Sequence, residues 1–389
     1  MGNQLNQPIT PPTTALTSTN MITAVVMVAG PSIDAKESVS GEIDPVRWVR
    51  GARRAAAADL LAQLAGQPLV ERIILVTPEL SGMEIVAGCH HVVSESGPIH
   101  VGRCLTQLTQ QYNVERLLYF GGGSVPLLEN ETLTRIATRL AESERLVITN
   151  NRYASDWAGI SPTDSLDEWV ERLPQDNMLG WVLSAEAGLP VEDFPSTAET
   201  RLDIDTPVDL LTLRRHPGTK PYLRRYLESI PLNAQKLEQV LQVMATPAGH
   251  LFVAGRFAPA AWQTLNRATQ CWIRVFSEER GMVSSGRQAA GEVFSFFADY
   301  LDEIGPERFF EKLSSQVQAA LIDTRVLLAH HKLWPDEAER FASDLGLVEQ
   351  INDPWLRTFT AAAMAAPIPV LLGGHSLLAG DLFAFCEML

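Results

Sequence analysis

The chain has 389 residues, with 31 Lys and Arg against 46 Asp and Glu for a formal net charge of −15; 46% of its residues are hydrophobic and 20% charged. This is ordinary globular composition, enough for two or three domains at about 150 residues each, and it excludes a disordered, collagen-like or disulfide-stapled chain. The acidity excludes general nucleic-acid binding, because a polyanion needs a basic surface; one anionic ligand would need local positive charge or a metal.

Residues 1–20, MGNQLNQPITPPTTALTSTN, hold no charged side chain and no apolar core, unlike a signal peptide, and read as a disordered Pro/Thr-rich tail. MITAVVMVAG (21–30) is a continuous apolar run ending in glycine, the pattern of a buried parallel strand feeding a loop. RAAAADLLAQLAG (54–66) predicts a helix stopped by Gly66, and ERIILVTPE (71–79) a second buried strand. VERLLYFGGG (114–123) repeats strand and glycine turn; LLENETLTRIATRLAESE (127–144) predicts an amphipathic helix and RLVITNN (145–151) another strand. The rhythm is α/β, a mostly parallel sheet with helices on both faces, and such sheets bind ligands at the carboxyl ends of their strands. The loops to watch begin at Gly30, Gly121 and Asn150.

The rhythm changes after DIDTPVDLLTLRRHPG (203–218), and Pro217, Pro221, Pro231 and Pro247 punctuate a charged helical stretch. The expected organisation is a domain over 21–245 and a smaller, mainly helical C-terminal domain over 246–389. Within the latter, 250–281 reads as strand, helix, strand; 286–366 as helical; and 367–389 as strand, Gly-Gly turn and helix. Cys89, Cys104, Cys271 and Cys386 form no CxxC and read as reduced structural thiols of a cytoplasmic protein. The most apolar stretch, 361–374, is short and broken by Pro367 and Pro369, so no membrane segment is expected.

Three segments carry chemistry. In RLDIDTPVDL (201–210), Asp203 and Asp205 lie two apart on an extended segment and share one face, with Thr206 suited to cap the helix that Pro207 begins. Paired carboxylates suit a hard cation such as Mg²⁺. LLYFGGGSVPLL (117–128) puts three glycines before Ser124, and VMVAGPSIDAK (26–36) puts Ala29-Gly30 before Pro31 and Lys36. RWVRGARR (47–54) adds Arg47, Arg50, Arg53 and Arg54 within two turns.

In order and spacing these segments resemble the nucleotidyltransferases of glycosyltransferase-A type, nearest to the molybdenum-cofactor and 2-phospholactate guanylyltransferases. The resemblance covers most of 21–217. It implies a Rossmann-like sheet of that type, a nucleoside triphosphate (GTP or CTP) bound with Mg²⁺, and transfer of the nucleotidyl group to a phosphorylated small-molecule acceptor with release of pyrophosphate. It implies catalytic roles for Lys36, Asp203 and Asp205, and metal ligation by Asp203 and Asp205. Nucleotide binding would fall to Ala29, Gly30, Lys36, Gly122, Gly123, Ser124 and, at the end of a strand, Asn150. Two positions depart from the family. Pro31 replaces a phosphate-binding glycine and lacks its N–H. Ser124 stands where the family has a metal-binding Asp, so Asp156 becomes the substitute carboxylate. These departures leave an alternative, a catalytically degenerate nucleotide- or sugar-nucleotide-binding regulatory protein. The expected partner is a small-molecule substrate, with neither nucleic acid nor membrane, and the C-terminal domain is expected to dimerise the chain or to cover the acceptor. Further candidates there are the loop 274–287 (RVFSEERGMVSSGR), as a substrate loop, and His375 with Ser376 in GGHSLLAG. His330 and His331 are adjacent, which would put them on different helix faces and argues against a shared metal.

Overall fold

The computed structural model describes residues 20–28, 43–80, 83–94 and 99–389. The tail 1–19 and the loop with Ala29, Gly30, Pro31 and Lys36 lie outside the described residues. The first apolar run forms strand β1 (Ile22–Met27), buried along its whole length. Its residues alternate between two cores: Ile22, Ala24 and Val26 join one, Val25 and Met27 the other. Helices Pro45–Ala65 and Asn130–Ala141 cover the first face, and helix Val101–Tyr112 the second. Apolar on both faces, such a strand cannot show the period-2 alternation of a half-exposed one, and so its sequence is continuous hydrophobe.

The sheet continues with β2 (Val70–Thr77), β3 (His90–Val93), β4 (Leu117–Gly121), β5 (Leu146–Thr149), β6 (Trp157–Ser161) and β7 (Val191–Asp193). Its spatial order is β3-β2-β1-β4-β6-β5-β7, and β6 alone runs antiparallel to its neighbours. The α/β fold expected from the strand–helix rhythm is thus observed. The direction of winding reverses between β1 and β4, the switch point where open α/β sheets leave a crevice. The helix predicted over 54–66 begins at Pro45, because Asp44 caps it by accepting from the Arg47 N–H and Pro45 takes the first turn. The cluster 47–54 is therefore helical. Gly51 sits inside that helix because the Tyr226 ring packs where its side chain would be; a Cβ there would lie 2.1 Å from the Tyr226 hydroxyl.

Residues 250–373 contribute a second sheet, β8 (His250–Gly255), β9 (Trp272–Ser277), β10 (Ala319–Asp323) and β11 (Val370–Gly373), all parallel in the order β11-β10-β8-β9. Helices predominate around it, as expected, but the stretch 286–366 also holds β10, a strand the sequence reading placed within helix. A second switch point falls between β8 and β10. One large core is common to both regions. Trp48 and Ala52 from helix Pro45–Ala65, Leu210 and Leu213 from helix Pro207–Arg215, Val253 of β8, Leu321 of β10, and Phe383 all belong to it. No helix among the described residues is long and apolar enough to cross a membrane. The four cysteines are free thiols.

Candidate active site

A cavity of about 890 Å³ opens at the carboxyl ends of β1 and β4. Met27, Val28 and the turn Gly121–Gly123 line one side of it, and the second region, through Arg256, Arg280 and His375, lines the other. Arg256 follows β8 and His375 follows β11, so the two switch points look at each other across one space.

The two Asp- and Gly-bearing segments meet directly. Ser124 and Asp203 form an isolated antiparallel bridge, with Val125 N–H donating to Leu202 O at 3.1 Å and Ile204 N–H donating to Gly123 O at 3.0 Å. Ile204 is fully buried between Asp203 and Asp205, both of which line the cavity. This is the shared face predicted from their spacing. Thr206 caps helix Pro207–Arg215 in a reciprocal capping box with Asp209, as expected, and that fixes where the Asp205 backbone leaves the strand. Arg53 donates from Nε to Ile204 O at 2.6 Å and from Nη2 to Asp205 Oδ1 at 3.5 Å, so one member of the 47–54 cluster holds the Asp strand. Arg50 and Arg54 pair instead with Glu337 and Glu79.

Gly122 and Gly123 line the cavity, but their smallness serves the chain itself: a Cβ on Gly122 would lie 2.7 Å from Met27 O of β1. Ser124 is buried, does not line the cavity, and donates its hydroxyl to Gly121 O at 2.8 Å. The structure thus places this serine in the turn. Asn150 does not line the cavity either. It is fully buried and orients Asp156, donating from Nδ2 to Asp156 Oδ2 at 2.5 Å and accepting from the Asp156 N–H at 3.1 Å. Asn151, its neighbour, reaches the lining.

Asp156 faces the cavity, together with an acid the sequence reading passed over, Asp176. Tyr119 donates its hydroxyl to Asp176 Oδ2 at 2.9 Å. Burial, then the charges of Asp205 and Asp176, push the Asp156 carboxyl up to about 7. Burial also raises Asp203 well above the ordinary carboxylate range, helped by Asp205 and Asp156 and opposed by Arg53; Asp176 is raised chiefly by burial. Carboxylates crowded at one place, each disfavouring the ionisation of the others, are the donor set that a hard divalent cation relieves. No three of these acids bring their oxygens within 4.8 Å of one another among the described residues, so they fit Mg²⁺ as a site of one or two protein carboxylates completed by water and phosphate oxygens.

Arg201 was also missed. It lines the cavity, and its buried Nε has no hydrogen-bond partner among the described residues. Only its place two residues before Asp203 could have drawn attention to it. The loop 274–287 reaches the cavity through 280–285, and His375 lines it with an imidazole held neutral, its pKa lowered to about 4 by burial and by Arg256. Ser376 turns inward and donates to Asp209 Oδ1 at 2.6 Å.

Among the described residues, three metal-type ligand atoms within 4.8 Å of one another occur at Asp302, His330 and His331. The two histidines come together because helix Thr324–His330 ends at the first of them. His330 Nδ1 accepts the Ser295 N–H at 3.1 Å, and its Nε2 faces Asp302 at 3.9 Å. His331 Nε2 lies 3.4 Å from the other oxygen of the same carboxylate.

No protein-family model matches the chain, and no curated protein matches it. Among solved structures it is similar to a cytidylyltransferase from Leptospira borgpetersenii, at 13% identity over 55% of this chain and 98% of that one, with a TM-score of 0.35. It is also similar to a nucleotidyl transferase from Methanothermobacter, at 18% identity over 54% of this chain and 100% of that one, with a TM-score of 0.34. A third, a nucleotide-diphospho-sugar transferase from Desulfovibrio desulfuricans, is similar at 13% identity over 55% of this chain and 99% of that one, with a TM-score of 0.36.

Proposed function

We propose that the chain is a nucleotidyltransferase, binding a nucleoside triphosphate, GTP or CTP, with Mg²⁺ and transferring its nucleotidyl group to a phosphorylated small-molecule acceptor. The observation that carries this reading is the convergence of Asp203, Asp205 and Asp156 on one cavity at the β1/β4 switch point, beside a glycine turn. In this chemistry an acceptor oxygen attacks the α-phosphorus, the α–β P–O bond breaks, and pyrophosphate leaves, so positioning and electrostatics do most of the work. Asp203 and Asp205 would hold the cation, with Asp156 across from them. The cation, when bound, neutralises charge developing on the phosphates. Arg53 fixes the Asp strand, and Tyr119 fixes Asp176. Lys36 is proposed as a phosphate-binding side chain on the strength of the family resemblance.

Thermal denaturation of the full chain with CTP or GTP tests this. One nucleotide should raise the midpoint only when Mg²⁺ is present, by the equivalent of about 2.7 kcal/mol at a hundredfold excess over Kd. Asp205→Ala should remove both the shift and pyrophosphate release. One observation favours a second reading, a nucleotide-binding protein without transfer activity: Ser124 offers neither a carboxylate nor its hydroxyl to the cavity. Nucleotide binding that needs no Mg²⁺ and survives Asp203→Ala with Asp205→Ala would decide for that reading.

A further inference from the structure

The carboxylates that line the cavity come from the first region, whereas its arginines come from both, Arg53 and Arg201 from the first and Arg256 and Arg280 from the second. Arg256 is already matched: it grips Asp323 with two bonds, Nε to Oδ2 at 2.6 Å and Nη2 to Oδ1 at 3.1 Å. Arg280 is not. The acids beside it in the loop are used elsewhere. Glu278 accepts from Ser295 Oγ at 2.5 Å and from Phe296 N–H at 2.9 Å, and Glu279 pairs with Arg287 at 2.8 Å. Met282 is buried against Val326 and Ala329, which ties the loop to the body of the second region. The loop is thus held by its glutamates and its methionine, and Arg280 is left at the cavity, exposed.

Across from it stands Arg201, partly buried, with its Nε unpartnered. Among the described residues neither guanidinium makes a hydrogen bond or an ion pair, although the charges of Asp156 and Asp193 act favourably on Arg201 and outweigh the repulsion from Arg280. Two guanidinium groups brought to one cavity from different parts of the chain, neither held by a hydrogen bond among the described residues, have donors left for an anion between them. Their forked donors match a phosphate or a carboxylate.

We propose that Arg201 and Arg280 form an anion subsite that binds the phosphate monoester of the acceptor, so that the C-terminal region supplies part of the acceptor side of the site. This rests on the nucleotidyl-transfer reading above.

The test is calorimetric titration of the full chain with Mg²⁺ and CTP or GTP, followed by inorganic phosphate and glycerol 3-phosphate as probes, with and without the nucleotide. The wild type should bind a phosphate probe. Arg280→Ala, at an exposed loop position, should weaken that binding about tenfold, the size of one lost charge-assisted contact, and keep nucleotide affinity within about twofold. Arg280→Lys should recover part of the loss, and Arg201→Lys should weaken the probe in the same direction. The proposal is overturned if the wild type binds no phosphate probe, if Arg280→Ala binds it as well as wild type, or if Arg280→Ala loses nucleotide affinity equally. In that last case the arginines serve the triphosphate. If the wild type binds neither nucleotide, the transfer reading falls and takes the acceptor assignment with it; a failure confined to the phosphate titrations overturns the subsite alone.

Discussion

Asp156 shows how the site's acids tax the fold. A carboxyl raised from 3.8 to about 7 is destabilised as an anion, so it favours folding below its unfolded value and loses that advantage as pH rises through 7. Asp203 and Asp176 are raised in the same direction. The ligand-free chain should therefore gain stability as pH falls from 8 towards 5, where most proteins change little or weaken. Asp156→Asn should be more stable than wild type at pH 8, on the order of 1–3 kcal/mol, and flatter between pH 8 and 5, as read by denaturant midpoints. A variant less stable than wild type at pH 8 would refute the assignment of charge strain. Ser124 gives the contrasting case. Its hydroxyl serves the turn, so Ser124→Ala should cost about 1 kcal/mol while leaving Mg²⁺-dependent nucleotide binding in place. At this scale the sequence was informative where spacing dictates geometry, as for Asp203 and Asp205 around buried Ile204. It was silent on Asp176 and Arg201, whose importance comes from what the fold sets opposite them, and it misread Asn150, whose amide looks inward at Asp156.

Among the elements, the helix Gly380–Glu387 matters most to the Asp strand. It begins against the backbone of 201–202, and a Cβ on Gly380 would lie 2.4 Å from Leu202 Cα and 2.7 Å from Arg201 O. Gly380→Ala must push that backbone away, which should cost about 1–3 kcal/mol and weaken nucleotide binding through the displaced Asp203. Gly66→Ala is the control, because a Cβ there meets nothing nearer than 3.4 Å, and it should stay within about 0.5 kcal/mol of wild type. Elements of the first sheet were legible where a strand is a continuous apolar run, as in β1 and β4, but β6, buried along its whole length yet broken by Gly159 and ending in Ser161, was not. The strand β10 was not. Its Ala-Ala-Leu-Ile-Asp lies between helices in an Ala- and Leu-rich context, and a short apolar run is compatible with either structure until pairing with β8 and β11 decides. The edge strands β3 and β7 are short and incompletely buried, so they leave little hydrophobic signature.

At the level of the whole molecule, the sequence suggests a division near 245, while the packing joins what lies on either side. Residues from Trp48 to Phe385 share one core, and Ser376 and Glu387 bond back to Asp209 and to the Ala198 N–H. Unfolding should therefore be a single transition, with far-UV circular dichroism and tryptophan fluorescence giving the same denaturant midpoint. Two separated midpoints would show instead that the halves are energetically independent. The packing of helix Gly380–Glu387 beneath Arg201–Leu202 also bears on how the protein is made. The Asp strand leaves the ribosome long before the helix that supports it, and a contact so distant in sequence closes late. A nascent chain would carry its acids without the wall that sets them in place. Competence to bind would then arrive only once Glu387 has emerged and the two sheets close on the space between them.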